Sequence, residues 1–180
     1  MKFIKNFYRN LDFRDFKEFI IDSGVYIALT VLVLFIVIYV VALQQVVGPS
    51  MEPNYKNQDI LILNKLQYRL FKPKRFQVVA AEDPSGLVIK RIIGLPGEEV
   101  DFRNGILYIN NQQVEENFEK QGNTEDFDLS ILEKSIIPEG YYLLVGDNRE
   151  NSTDSRDKRV GLIHKNEFIG KVMFRIWRVN

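Results

Sequence analysis

The sequence predicts a mainly β domain preceded by one N-terminal transmembrane helix, and three observations carry that prediction. Residues 23–51 contain no charged side chain, and residues 25–43 are almost wholly apolar. Beyond them come short runs rich in Val, Ile, Phe and Tyr, bounded by Gly, Pro and Asn. One such boundary is Asn104-Gly105, the pair favoured in a two-residue type I′ hairpin.

Residues 1–22 interleave Phe3, Phe7, Leu11, Phe16 and Phe19 with Lys2, Lys5, Arg9, Arg14 and Lys17, the spacing of an amphipathic cytoplasmic or interfacial segment. At about 1.5 Å per residue, the 19 residues of 25–43 span the roughly 30 Å hydrocarbon core, so 23–45 is expected to be a helical anchor. A cleaved leader would have a shorter apolar stretch and an Ala-x-Ala-like site, which Ala42-Leu43-Gln44 does not supply. The five basic residues before the anchor put that end in the cytoplasm and residues 46–180 outside. Strands are expected over 59–64, 76–81, 87–93, 99–102, 106–109, 141–145 and 168–177. Residues 65–75 carry five basic side chains and no acid, which reads either as a solvated loop or as a patch touching anionic lipid. Residues 115–134 reverse this with seven acids and two lysines; strand signals occur only near 129–132, and we read about 110–137 as a variable surface excursion.

Composition narrows the chemistry. With 24 basic and 24 acidic side chains, net charge gives no argument for nucleic acid, and none is expected as a partner. The absence of cysteine excludes disulfides, thiolate catalysis and cysteine-based zinc sites. His164 is the only histidine; between a loop and a strand, it reads as a structural or surface residue. No metal or cofactor is expected: the run from Gly146 to Arg156 is rich in Asp, Asn and Ser but lacks EF-hand spacing.

Three stretches stand out. Val47-Gly48-Pro49-Ser50-Met51-Glu52-Pro53 follows the apolar run; alone it reads as the turn ending a helix. Lys90-Arg91-Ile92-Ile93-Gly94-Leu95-Pro96-Gly97 leaves an apolar strand, and burial there disfavours a charged ammonium. An unperturbed lysine is only about 0.1% neutral at pH 7.4, whereas one tuned down by burial can act as a general base. The third is Gly146-Asp147-Asn148-Arg149-Glu150-Asn151-Ser152-Thr153-Asp154-Ser155-Arg156. Together they resemble the type I signal peptidases, membrane-anchored serine proteases with a serine and lysine pair.

That resemblance implies a signal-peptidase-like β-sheet catalytic domain with Ser50 as nucleophile and Lys90 as base. It implies that Ser152 orients the lysine, and that Asp154, Arg156, Arg91 and Asp147 hold the region through ion pairs. The Ser50 amide would serve as an oxyanion donor, and Val46, Met51 and Ile89 would wall shallow pockets, although ordinary core packing is open to all three. The implied partners are exported preproteins, cut after a small-x-small site, and membrane lipid. Two positions depart from the family: Gly48 stands where some relatives have a serine, and Asn54-Tyr55 where Thr-Leu is common. They leave a second reading, a catalytically weak or silent relative acting as a chaperone-like module in surface protein or pilus assembly. A soluble self-cleaving repressor with Ser-Lys chemistry fits less well, because of the apolar helix.

Overall fold

The computed structural model describes residues 13–177. The chain divides into two compact units, residues 1–40 and 41–180. The expected amphipathic segment falls outside the described residues through position 12. From there α1 (Phe13–Phe35) runs without a break into a wider π-helical turn, Ile36–Val40. Within Phe16–Val40 lies an unburied 18-residue stretch with a mean hydropathy of 2.6, so this helix is long and apolar enough to cross a bilayer.

The helix ends sooner than the apolar run does. Val41–Gln45 forms β1, antiparallel to β2 (Ile60–Asn64), with Ala42 opposite Leu63 and Gln44 opposite Leu61. The anchor helix expected over 23–45 instead ends at Val40, and its last five residues are β1. An apolar run does not distinguish helix from strand, and here the ladder to β2 decides.

The remaining elements are α2 (Gln67–Leu70), β3 (Val78–Asp83), β4 (Gly86–Gly94), β5 (Val100–Arg103), β6 (Ile106–Ile109) and β7 (Gln112–Val114). After them come β8 (Phe127–Asp128), β9 (Tyr141–Val145), β10 (Ile163–His164) and β11 (Phe168–Trp177). One sheet has the order β1-β2-β11-β3-β4-β9-β10 and the other β7-β6-β5-β8, and every ladder is antiparallel. Asn104 and Gly105 both take positive φ, 50° and 79°, as a type I′ turn between β5 and β6 requires. The strand signal at Leu129–Leu132 resolves instead into a 3₁₀ turn, because the Asp128 carboxylate accepts from the Ser130 amide and caps it.

Two features of the sheet position the site. β4 pairs with β3 along Gly86–Arg91, but its ladder to β9 covers only Arg91–Gly94. The residues of β4 up to Lys90 thus have an edge without a strand partner. Val46, Met51, Leu61, Leu63 and Ile89 belong to one apolar cluster, and Ile93, Val100, Phe102 and Leu143 to another.

The acidic stretch is more closely held than a variable excursion suggests. Gln121 donates its amide to Asp147 O (3.0 Å) and accepts at its carbonyl from the Arg149 amide (2.8 Å). Phe118 packs against Phe76 with ring centroids 5.4 Å apart. Residues around 116–124 therefore form a strap along the third motif.

Candidate active site

The Ser50 turn is built from its two ends. Val46 N donates to Asp59 O and Gln58 N to Val46 O, both at 2.8 Å, closing the segment into a loop. Gly48 sits at φ +83°, where a side chain would be strained, and its amide donates to Asn57 Oδ1 at 3.0 Å. Met51 is fully buried and roots the turn in the apolar cluster. On the far side, Asn148 donates its amide to Ser50 O (3.0 Å) and its side-chain amide to Pro49 O (3.3 Å). Among the described residues the Ser50 amide meets no acceptor and its hydroxyl no partner. Both are available to a bound group.

Lys90 lies at the unpaired edge of β4 and is only 5% exposed. Its Nζ donates to Ser152 Oγ at 3.1 Å. Burial lowers its pKa from the ordinary lysine value; Asp154, Asp83 and Asp147 pull the other way, while Arg156 adds to the lowering. Lys90 and Ser50 line one cleft of about 200 Å³, without a hydrogen bond to each other. A cavity of about 500 Å³ beside β5 is larger, but Asp101 and Ser130 there have no lysine or histidine base between them except Lys134, on an exposed loop.

Gly146 brings the third motif to the first. A Cβ at this position would stand 2.5 Å from Ser50 O and would collide with the Ser152 side chain. Only glycine permits both neighbours. The Gly146 amide donates to Asp154 Oδ2 at 3.0 Å, and Arg156 grips the same carboxylate twice, Nε to Oδ1 and a terminal nitrogen to Oδ2, each at 2.8 Å. Burial alone raises the Asp154 pKa, but the Arg156 hydrogen bonds and charge, with the Gly146 amide, outweigh it and hold the carboxyl below its ordinary range.

Arg91 and Asp147 form a second bidentate pair, at 2.7 and 2.6 Å, with Asp147 completely buried. Arg91 also donates to Phe76 O (2.8 Å) and lies over the Phe118 ring, 4.0 Å from its centroid. Asn54, one of the two departures, fills its place with bonds: its Nδ2 donates to Asp147 Oδ2 and to Glu119 O, both at 2.8 Å. Val46, Met51 and Ile89 face the cleft while belonging to one buried cluster, so packing and pocket wall are the same surface. His164 stands on β10, stacked edge-on to Tyr141 at 4.9 Å, and its Nδ1 accepts from the Asn166 amide at 3.2 Å.

Sequence reasoning missed Arg149, whose fully buried side chain bonds Glu116 of the strap, Thr124 Oγ1 (2.9 Å) and Gly146 O (3.1 Å). Arg149 was visible inside the third motif, but nothing marked Glu116 among its acidic neighbours. Gly146 carried no more signal than any other glycine.

The family model described as "Signal peptidase, peptidase S26" matches residues 19–177. This chain belongs to that family of signal peptidases. Over 176 residues it is 34% identical to signal peptidase IB of Staphylococcus aureus strain COL, covering 89% of this chain and 91% of that protein. It is 35% identical over 140 residues to signal peptidase I of Bacillus caldolyticus, covering 72% and 76%. A crystal structure of a signal peptidase I from Enterococcus faecalis matches with a TM-score of 0.50 and 38% identity, covering 57% of this chain and 98% of that one.

Proposed function

We propose that this protein is a membrane-bound endopeptidase that removes signal peptides from exported preproteins after a small-x-small site, with Ser50 as nucleophile and Lys90 as general base. The observation that carries this reading is the buried Lys90 ammonium nitrogen, held by Ser152 in a cleft that also presents Ser50. Burial lowers its pKa and so favours the neutral amine that a base requires.

In this mechanism the substrate lies extended along the free edge of β4, adding a strand whose backbone bonds supply affinity. Neutral Lys90 takes the Ser50 proton as Oγ bonds to the scissile carbonyl carbon, and the Ser50 amide donates to the oxygen that becomes negative. When the intermediate collapses, the C–N bond breaks, and the Lys90 ammonium returns the proton to the departing amine. Water then adds to the acyl-enzyme with Lys90 again accepting the proton, and as the C–Oγ bond breaks the Lys90 ammonium returns that proton to Ser50 Oγ, freeing the peptide with its new carboxyl group. Gly48 offers no side chain as a second oxyanion donor, and its amide is engaged by Asn57. Asn54 is bonded into the scaffold by the Asp147 carboxylate, so this departure gives no support to a silent relative.

The test is cleavage. The full chain, purified in detergent, should cut a preprotein with Ala at the first and third positions before the junction, and the product's new N-terminus should map to that junction. An uncut preprotein that remains bound would instead favour a non-catalytic role.

A further inference from the structure

The cleft has two layers along its length, and the outer one contains a polar side chain. β1 and β4 are separated in the sheet by β2, β11 and β3, with every neighbour antiparallel, so β1 and β4 run in the same direction. Ser50 follows β1 and Lys90 lies towards the C-terminal end of the free β4 edge. Stepping back from the catalytic pair along both strands, Val46 and Ile89 come first; both are buried in one cluster. Two residues further back, on the same faces, stand Gln44 and Leu87, which also line the cleft.

Gln44 is the polar member of an otherwise apolar inner face. The burial of β1 alternates, with Ala42 and Gln44 part-buried while Leu43 and Gln45 are exposed, and Gln44 pairs with the fully buried Leu61. Its Nε2 donates to Gln45 O at 3.0 Å. Its Oε1 accepts no hydrogen bond among the described residues. A carboxamide with a free acceptor thus borders the cleft, where a purely apolar pocket would have a hydrocarbon wall.

Alternate side chains of an extended substrate are about 6.6–6.8 Å apart, the two-residue step of extended chain from Gln44, on β1, to Val46 just past its end. The residue just before the cut therefore meets the layer of Val46 and Ile89, and the third residue before the cut meets Gln44 and Leu87. Building on the endopeptidase reading above, we propose that Gln44 is a specificity-determining residue that selects a hydroxyl-bearing side chain at the third position before the cut. Gln44 Oε1 accepts from the substrate hydroxyl, and Leu87 packs against its carbon atoms.

Threonine and valine are nearly isosteric, so a pair of peptides differing only by Thr or Val at this position isolates the hydroxyl. With the detergent-solubilised full chain, kcat/KM should favour Thr by about fivefold, the scale of one partly exposed neutral hydrogen bond. In Gln44→Leu the ratio should fall below one, and Gln44→Met, with an unbranched side chain of similar length, should repeat that result if the leucine variant folds poorly. A wild-type preference for Val, or the same Thr:Val ratio in both variants as in wild type, overturns the assignment of Gln44. A control peptide with Ala at both small positions separates the levels: cleavage of the control with no Thr preference rejects only Gln44, whereas no cleavage of the control rejects the endopeptidase reading and this inference together.

Discussion

Lys90 Nζ donates to Ser152 Oγ at 3.1 Å, joining β4 to a loop 62 residues later in the chain. In the proposed mechanism this bond aims the amine at Ser50. Ser152→Ala should therefore lower kcat by about 10²-fold, within the range of a general-base contribution, with little change in KM. Steady-state kinetics on one peptide checks this; a rise in KM at constant kcat would instead make Ser152 a substrate contact.

The pH dependence has a definite sign. Burial lowers the Lys90 pKa, and the neutral amine is the active form, so kcat/KM should rise with pH through one ionisation below the ordinary lysine value. Asp83 opposes the lowering. Asp83→Asn should therefore move the rising limb to lower pH, as a pH–rate profile of the two proteins would reveal.

The same burial has a stability consequence. Protons bind the unfolded lysine more readily than the folded one, so the penalty is complete below the folded pKa and is relieved as pH rises towards the unfolded value. Lys90→Met should therefore be inactive yet more stable at neutral pH, with Tm higher by about 2–4 °C for roughly 1 kcal/mol regained. Thermal unfolding followed by circular dichroism at pH 7 measures it.

Removing one member of a buried ion pair leaves the other uncompensated. Asp147→Asn strands the Arg91 guanidinium, which is engaged on two nitrogens, in a buried site. The expected loss is about 3–5 kcal/mol, whereas Asp157→Asn, in an exposed pair with Arg159, should leave stability nearly unchanged. Denaturant midpoints of the two variants provide the comparison.

Much of the strand framework was legible because alternation and boundary residues agree with the tertiary ladders. Ile106–Ile109, Tyr141–Val145 and Phe168–Trp177 fall where their β-branched and aromatic residues indicate. β1 was hidden because its residues continue an apolar helix without a break, and β8 and β10 because each has only two residues. Phe76 begins no strand; it takes φ +67° and turns its carbonyl to Arg91, which its residue type does not foretell. At the site, the motifs marked Ser50, Lys90 and Ser152, but the strap through Glu116 and Phe118 depends on contacts across distant sequence.

The end of the helix matters for truncation. Removing residues 1–40 leaves β1 intact, whereas removing 1–45 strips one of the two ladder partners of β2, the strand that carries the buried Leu61 and Leu63. The shorter deletion should fold and cleave peptides but lose efficiency on membrane-inserted preproteins, because tethering enzyme and substrate to one membrane raises their effective concentration. The longer deletion should be destabilised. Comparing both on a soluble peptide and on preprotein in vesicles distinguishes loss of anchoring from loss of fold.

The central claim is the pairing of Ser50 with Lys90, and the most direct measurement is turnover of one preprotein by Ser50→Ala, Lys90→Ala, Lys90→Arg and His164→Ala in the full chain, each verified as folded by its circular dichroism. The first three should lose at least about 10³-fold in kcat, since a guanidinium does not deprotonate in proteins, and His164→Ala should cleave at close to the wild-type rate. Normal turnover in either Lys90 variant, or its loss only in His164→Ala, would contradict the account.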